Sequence, residues 1–276
     1  MLNKNKSCTL KLVKEIIILG GGFSGVSAAL RLRERLTHQE ANITLIDKNS
    51  YHLFTPSIYE LATSEEPQKN VAIPYFQIFE QRVKVIKGEV SDIDTSNHLV
   101  NLKDETHYAY DYLIIALGSE PAYYGVEGLE KYAVALKNLE DAVLIRKQIE
   151  ETYHKKVYEG KKMEILIGGG GFTGTEFAAE LVKFREKLAK HHKKEIDLVG
   201  IRVIQGSASL LKELDDRVSQ LAQKRLMQGG VNVVLSSHIK KVDEKIVETD
   251  DGNKFNYDVL VWTGGVKANS VLERSG

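Results

Sequence analysis

Residues 15–25 read Glu-Ile-Ile-Ile-Leu-Gly-Gly-Gly-Phe-Ser-Gly, and residues 164–174 read Glu-Ile-Leu-Ile-Gly-Gly-Gly-Gly-Phe-Thr-Gly. Each is a short apolar run, a glycine loop and the start of a helical pattern. Val26, Ala29, Leu30 and Leu36 fall on one side of the first helix, and Phe177, Ala178, Leu181 and Phe184 on one side of the second. The repeats also end alike. Tyr110-Asp111-Tyr112-Leu113-Ile114 runs into Gly118 and Tyr257-Asp258-Val259-Leu260-Val261 into Gly265, at nearly equal distances past the two loops. Such self-similarity means one supersecondary plan used twice. The plan expected is strand, helix, strand, a small antiparallel meander, then a strand returning to the sheet. Second strands are expected at 43–46 and 201–204. Alternating stretches follow at 83–90, 99–102, 231–235 and 245–249, with turn clusters at 94–97 and 250–253.

Composition removes whole classes of function. Of the 276 residues, 42% are hydrophobic and 28% charged, which suits a soluble globular chain. Lys plus Arg (38) balance Asp plus Glu (38), so no net field draws nucleic acid or anionic lipid. The single cysteine, Cys8, excludes an intrachain disulfide, a Cys-x-x-Cys redox pair and a cysteine zinc site. Lys4, Lys6, Lys11 and Lys14 make the N-terminus basic, but the apolar run behind them, 16–19, is too short for a signal peptide or a spanning helix. The chain reads as intracellular and soluble, or held to a membrane by something it does not contain.

Gly20-x-Gly22-x-x-Gly25 follows a buried-type strand and opens a helix, the setting in which the motif binds a dinucleotide. Gly20 permits the tight turn, Gly22 lets a pyrophosphate reach the backbone, and Gly25 lets helix and strand pack closely. The diphosphate then meets free N–H groups and the helix dipole. Asp47 ends the second strand, where a carboxylate accepts hydrogen bonds from ribose hydroxyls. Gly169-x-Gly171-x-x-Gly174 repeats the motif, but the residue matching Asp47 is Gln205. A neutral amide does not repel a 2′-phosphate, so weak discrimination is expected, with NADPH tolerated. The fold class is therefore α/β: two Rossmann-like dinucleotide-binding domains in three layers, each with a small antiparallel meander. The expected boundaries are 1–122 for the first part of one domain, 123–163 for a connecting segment with a helix over 139–153, 164–260 for the second domain, and 261–276 for the return to the first.

The chain resembles the type II NADH dehydrogenases, single-subunit NADH:quinone oxidoreductases of the glutathione-reductase-like flavoprotein class. Three segments carry the resemblance beyond the loops: 47–56 (DKNSYHLFTP), 169–176 (GGGFTGTE with its trailing glutamate) and 257–266 (YDVLVWTGGV). The resemblance implies FAD on the first loop and NAD(P)H on the second, with hydride passing to the flavin and two electrons on to a quinone. It places Gly20, Gly22, Phe23, Ser24, Gly25 and Asp47 at the FAD diphosphate and ribose. Lys48, Thr55, Val90, Ala116, Leu117 and Gly118 would lie along the same cofactor. Gly169, Gly171, Phe172, Thr173, Gly174, Gln205, Gly264 and Gly265 would serve NAD(P)H. Glu176 is the expected catalytic residue, near nicotinamide and quinone; the bland alternative is a glutamate favoured by the helix dipole in the first helical turn.

Members of that family continue well beyond residue 276, so the chain is expected to be C-terminally truncated. It would lack a Gly-Asp flavin contact, much of the quinone site and the amphipathic helices that hold the family on the cytoplasmic face of the membrane. An uncovered sheet edge should then weaken FAD retention or drive self-association. The fragment is expected to be soluble, without nucleic acid or metal, and a homodimer fits the resemblance. Sulfide:quinone oxidoreductase shares the fold but needs active-site cysteines. A reductase with a protein acceptor, of the ferredoxin or rubredoxin type, and a non-catalytic nucleotide-binding fragment are the alternatives. His52 reads as structural, His191 and His192 as part of a solvated charge run, Cys8 as incidental and Trp262 as a buried strand residue.

Overall fold

A computed structural model describes residues 13–63 and 68–275; Cys8 and Lys4, Lys6 and Lys11 lie outside them. Contacts divide the chain into two compact units. Unit 1 comprises the chain through Leu53, Ala72–Ser119 and the chain from Ala268; unit 2 comprises Phe54–Val71 and Glu120–Lys267.

In unit 1, β1 (Lys14–Leu19) leads through the glycine loop to α1 (Phe23–Arg35) and back to β2 (Ala41–Asp47). With β3 (Lys84–Lys87) and β4 (Tyr112–Ile115) these form a parallel sheet of order β3-β2-β1-β4. The period-2 alternation of strands sorts the core. Ile18, Ile43 and Leu45 pack with Ala29 of α1 and with Tyr75 and Phe79. Ile17, Leu19 and Ile46 pack with Val90, Ile93, Val100 and Leu102 of an antiparallel meander, Val90–Asp94, Leu99–Leu102 and His107–Ala109. Helix, sheet and meander are the three layers.

Unit 2 begins with α2 (Ile58–Thr63), whose Ile58, Leu61 and Ala62 are buried, and continues with β5 (Val134–Ala135) and α3 (Leu139–Lys156). Then come β6 (Met163–Gly168), α4 (Phe172–His192), β7 (Val199–Ile204), α5 (Asp216–Gln228), β8 (Val231–Val234) and β9 (Val259–Trp262). The sheet order is β5-β9-β6-β7-β8, all parallel, so the four strands β9-β6-β7-β8 repeat the order of unit 1. Leu166, Ile204, Leu260 and Trp262 pack with Val242 and Val247 of a second meander, Ile239–Val242, Ile246–Thr249 and Lys254–Asn256.

The matched sequence ends have a shared physical cause. Asp111 starts β4, and its carboxylate accepts from the Glu15 N–H at 2.8 Å while its own N–H donates to the Glu15 carbonyl at 2.9 Å. Asp258 does the same with Glu164, at 3.0 and 2.8 Å, ahead of β9. In each repeat an aspartate therefore sets the register of the returning strand, and Lys14 and Lys156 neutralise the two carboxylates.

Several expectations are corrected. The stretches 83–90 and 231–235 are not meander strands, apart from Val90: β3 and β8 within them are third parallel strands of the main sheets. Parallel pairing needs a crossover, which α5 supplies in unit 2 and which the periodicity reading overlooks. Leu36 caps α1 rather than belonging to its apolar side. The helix expected at 139–153 runs to Lys156 and starts from an Asn138–Asp141 capping box. Residues 54–71, read as part of the first domain, group with unit 2, because α2 packs on α3 and α4. β4 is an edge strand with Tyr112 and Ile115 exposed.

Candidate functional site

The two glycine loops are built to one plan. In unit 1 the Gly20 N–H donates to the Ile46 carbonyl at 2.8 Å, and the Ala116 N–H to the Leu19 carbonyl at 2.7 Å. In unit 2 the Gly169 N–H donates to the Ile204 carbonyl at 2.9 Å, and the Thr263 N–H to the Gly168 carbonyl at 2.8 Å. Gly20 has φ +94° and Gly169 φ +111°, conformations an L side chain rarely adopts. A Cβ on Gly25 would strike the Gly20 carbonyl oxygen, and one on Gly174 the Gly169 carbonyl oxygen. Gly22 and Gly171 differ. Each caps its helix in an extended conformation without a side-chain cap, and a Cβ on either would meet open space. Both helix N-termini therefore present backbone N–H groups toward an uncovered approach, the geometry that receives phosphate.

The residue ending the second strand ties each loop down. Asp47 accepts from the Gly21 N–H at 2.5 Å and from the Asn49 N–H at 2.7 Å. Gln205 accepts from the Gly170 N–H at 2.7 Å, and its amide donates to Ser207 Oγ at 2.5 Å. Ser207 Oγ in turn donates to the Ser209 carbonyl at 2.7 Å. Around Gln205 lies a cavity of about 400 Å³, to which Gly169, Ser207, Lys212, His238, Trp262 and Gly264 contribute. Among the described residues its lining includes Lys212 and His238 and no carboxylate, and the His238 Nδ1 lies 3.1 Å from Asp250 Oδ2.

The expected FAD-side residues divide into groups. Gly20, Gly22, Ser24, Gly25, Asp47, Ala116, Leu117 and Gly118 converge on the unit 1 loop, where the Ala116 carbonyl and Leu117 Cα would crowd any Cβ on Gly20. Lys48 follows Asp47 and is exposed. Val90 turns its side chain into the core between sheet and meander, so only its backbone is left for a ligand. Thr55 belongs to unit 2 and is not grouped with that loop. Phe23 and Phe172, the first residues of α1 and α4, are both about half exposed, at 48% and 51%. On the unit 2 side, Gly169, Gly171, Phe172, Thr173 and Gly174 form the loop and helix start, while Gly264 stands against Gly169. Gly265 packs against Tyr124.

His52 is buried, with Nδ1 2.9 Å from the Gly21 carbonyl and its ring edge-on to Phe23 at 4.8 Å. It braces the loop, as the structural reading expects. Trp262 is a buried strand residue whose Nε1 donates to the Ala122 carbonyl at 2.9 Å. Sequence reasoning overlooks two residues. Tyr75 is buried against Gly21, and burial together with the Asp47 carboxylate pushes its phenol far above the ordinary range. Thr263 Oγ1 donates to the Gly169 carbonyl at 2.9 Å and so holds the second loop. A tyrosine and a threonine outside the motif leave no periodic trace.

Glu176 is the fifth residue of α4, one place beyond the first turn, which contains no acid. That corrects the expected position and weakens the dipole reading, since the dipole fades past the first turn. Glu176 lies on the exposed side of α4, and partial desolvation there raises its carboxyl above the ordinary value. Its charge also helps to raise the Tyr59 phenol on α2, after desolvation, so the two groups are electrostatic neighbours within unit 2. No helix among the described residues is long and apolar enough to cross a membrane.

Comparison with known proteins supplies a lineage. Over 270 residues the chain is 28% identical to a type II NADH:quinone oxidoreductase of Staphylococcus haemolyticus and 27% to that of Staphylococcus aureus, covering 95% of this chain and 67% of each relative. The structure of NDH2 from Plasmodium falciparum in complex with NADH superposes with a TM-score of 0.86 at 23% identity, over 95% of this chain and 57% of that one. This chain thus spans little more than half the length of that structure. A sulfide:quinone oxidoreductase from Aquifex aeolicus matches with a TM-score of 0.79 at 20% identity. A pyridine nucleotide-disulphide oxidoreductase model matches residues 14–276, and the chain belongs to that family.

Proposed function

We propose that this chain carries the FAD and NAD(P)H sites of a type II NADH:quinone oxidoreductase. The observation that carries the reading is the duplicated loop, in which the Gly21 and Gly170 N–H groups are each fixed by the side chain ending the second strand. Two such cradles in one chain suit an enzyme that holds a donor and a prosthetic group together. The unit 1 residues fit FAD: Gly22 leaves space where a diphosphate approaches, the α1 N–H groups face it, and Asp47 retains carboxylate lone pairs for a ribose. Gly171, the α4 N-terminus and the Gln205 cavity fit NAD(P)H in the same way.

FAD, when bound, supplies two-electron redox chemistry, which a sequence with one cysteine cannot provide through a disulfide. This chain's own residues bind and orient. Helix N-terminal N–H groups take up phosphate charge, Asp47 and Gln205 fix the adenosine ends, and His52, Tyr75 and Thr263 keep the loops rigid. Quinone as acceptor rests on the relatives' names, and attachment to the cytoplasmic membrane surface on the family resemblance alone. Dialysis against FAD and NADH should give one equivalent of each per chain. NADH oxidation by the FAD-loaded chain should be faster with a soluble quinone than with a ferredoxin-type acceptor. Fewer than two bound nucleotides, or a preference for the protein acceptor, overturns the assignment.

We assign Glu176 to the proton balance of quinone reduction. A carboxyl with a raised pKa is favoured in its neutral form, so at neutral pH its charge costs the fold some stability, and Glu176→Gln removes that cost. The variant should therefore fold at least as stably. Its kcat with quinone should fall about a hundredfold or more, the range for general acid–base residues, and the rate limb lying above the ordinary carboxylate range should disappear. An unchanged rate and pH profile would reduce Glu176 to a surface acid.

A further inference from the structure

A second cavity lies in unit 2 where the C-terminal ends of α3 and α4 come together, and the dinucleotide reading leaves it without a role. Its volume is about 650 Å³, within the usual range for small-molecule sites. Phe184 and Leu188 of α4 form its apolar part. Six cationic or titratable-to-cationic groups surround it: Arg146 and His154 from α3, and Lys187, Lys190, His191 and His192 from α4. Among the described residues the one carboxylate in the lining, Glu150, is paired with Arg146 Nε at 2.8 Å. Lys187 and Lys190 enter no ion pair among the described residues.

The imidazoles are crowded. Ring centroids of His191 and His192 are 4.6 Å apart, and those of His154 and His192 5.4 Å. Among the described residues the remaining neighbours are uncharged or cationic: Tyr158 Oη is 2.5 Å from His192 Nδ1, the Tyr153 ring centroid lies 5.3 Å from that of His192, Lys194 Nζ lies over the Tyr158 ring, and α2 contributes Thr63. Desolvation, then the nearness of His191 and His154, holds His192 below its ordinary pKa. Cations near helix C-termini complement the dipole, which accounts for lysines and histidines in two last turns. It does not account for their convergence around an open volume whose one acid among the described residues is paired with an arginine.

We propose that the cavity between α3 and α4 binds a small phosphate-bearing anion, seated between the Lys187 and Lys190 amines and the imidazoles of His154, His191 and His192. An anion supplies the countercharge that lets the His192 imidazole accept a proton, so binding and protonation of that ring reinforce each other. The site is separate from the Gln205 cavity and shares no lining residue with it.

The test is a titration of the full chain with inorganic pyrophosphate, following the imidazole resonances by NMR at about pH 6 and about pH 8, on either side of the ordinary imidazole pKa. The resonances of His154, His191 and His192 should shift together and saturate, with affinity about tenfold weaker at the higher pH, where His192 is neutral. The double variant Lys187→Ala/Lys190→Ala should keep the far-UV spectrum and lose about tenfold or more in affinity, one charged contact each. Lys224→Ala, on α5, should bind as the unaltered chain does. Vesicles of phosphatidic acid in phosphatidylcholine form the second arm: binding to pyrophosphate alone assigns the site to soluble phosphate esters, and binding to both assigns it to a lipid headgroup as well. Imidazole resonances indifferent to pyrophosphate, or a lysine double variant with undiminished affinity, overturns the proposal.

Discussion

Gly22→Val is expected to leave the chain folded and remove FAD binding, and Gly171→Val to do the same for NAD(P)H. Most glycine substitutions in such loops are uninformative because they break the loop: valine at Gly25 or Gly174 would drive carbon into a backbone carbonyl. Gly22 and Gly171 escape that objection. Their φ values, −70° and −74°, suit any residue, and among the described residues no heavy atom beyond the two chain neighbours lies within 4 Å of the added Cβ. Replacing a glycine where the new residue adopts the native backbone without strain often stabilises, by about 0.4–1 kcal/mol. Thermal stability without ligand should therefore hold or rise slightly. With nucleotide present, the valine occupies the space through which a diphosphate reaches the helix N–H groups. Steric displacement and lost charge-assisted hydrogen bonds together cost about 3 kcal/mol or more, a weakening of roughly a hundredfold or more in Kd. The losses should be separate: Gly22→Val binds NADH but not FAD, and Gly171→Val binds FAD but not NADH. Fluorescence titration of both variants with both ligands measures this directly. Undiminished FAD affinity in Gly22→Val would mean that the loop is a structural echo and not a cradle.

How far the sequence discloses this molecule depends on whether a feature is periodic or local. The loops were legible because a positive φ, a close carbonyl and a phosphate approach each demand glycine, and the demand recurs at one spacing in both halves. The paired Tyr-Asp ends were legible as a match, but their purpose, an aspartate fixing strand register through Glu15 and Glu164, emerges only from the hydrogen bonds. The third parallel strands were misread because an isolated apolar run looks the same in a meander as in a sheet. Only its crossover tells them apart, which in unit 2 is α5, with Ser219 and Leu226 its buried residues. Tyr75, Thr263 and Tyr59 were invisible because each acts through one tertiary contact. The histidine cluster illustrates the same limit: Lys190-His191-His192-Lys193 reads as a solvated run, and only folding brings His154 and Tyr158 of another segment beside it.

Gln205→Glu should turn a coenzyme-tolerant site into one selective for NADH. Gln205 accepts the Gly170 N–H through Oε1, and a glutamate oxygen can keep that bond. Unit 1 shows that a carboxylate is compatible with the arrangement, since Asp47 accepts the corresponding N–H of Gly21. The second bond also survives, because the Ser207 hydroxyl can rotate from the Ser209 carbonyl to donate to the new oxygen. Fold and loop should stand, leaving charge as the change. Beside a 2′-phosphate, the added carboxylate costs about 2–3 kcal/mol of like-charge repulsion, so kcat/KM for NADPH should drop by roughly 30- to 150-fold. NADH, with a free 2′-hydroxyl, gains an acceptor and should change only slightly. Lys212 on the same rim acts in the opposite sense, so Lys212→Ala should weaken NADPH more than NADH, and the difference should shrink as salt is raised. Measured as the ratio of kcat/KM for the two coenzymes, a shift toward NADH in Gln205→Glu places the adenosine ribose at the end of β7. A ratio that stays put in both variants would remove Gln205 from the coenzyme site and leave the cavity around it to another ligand.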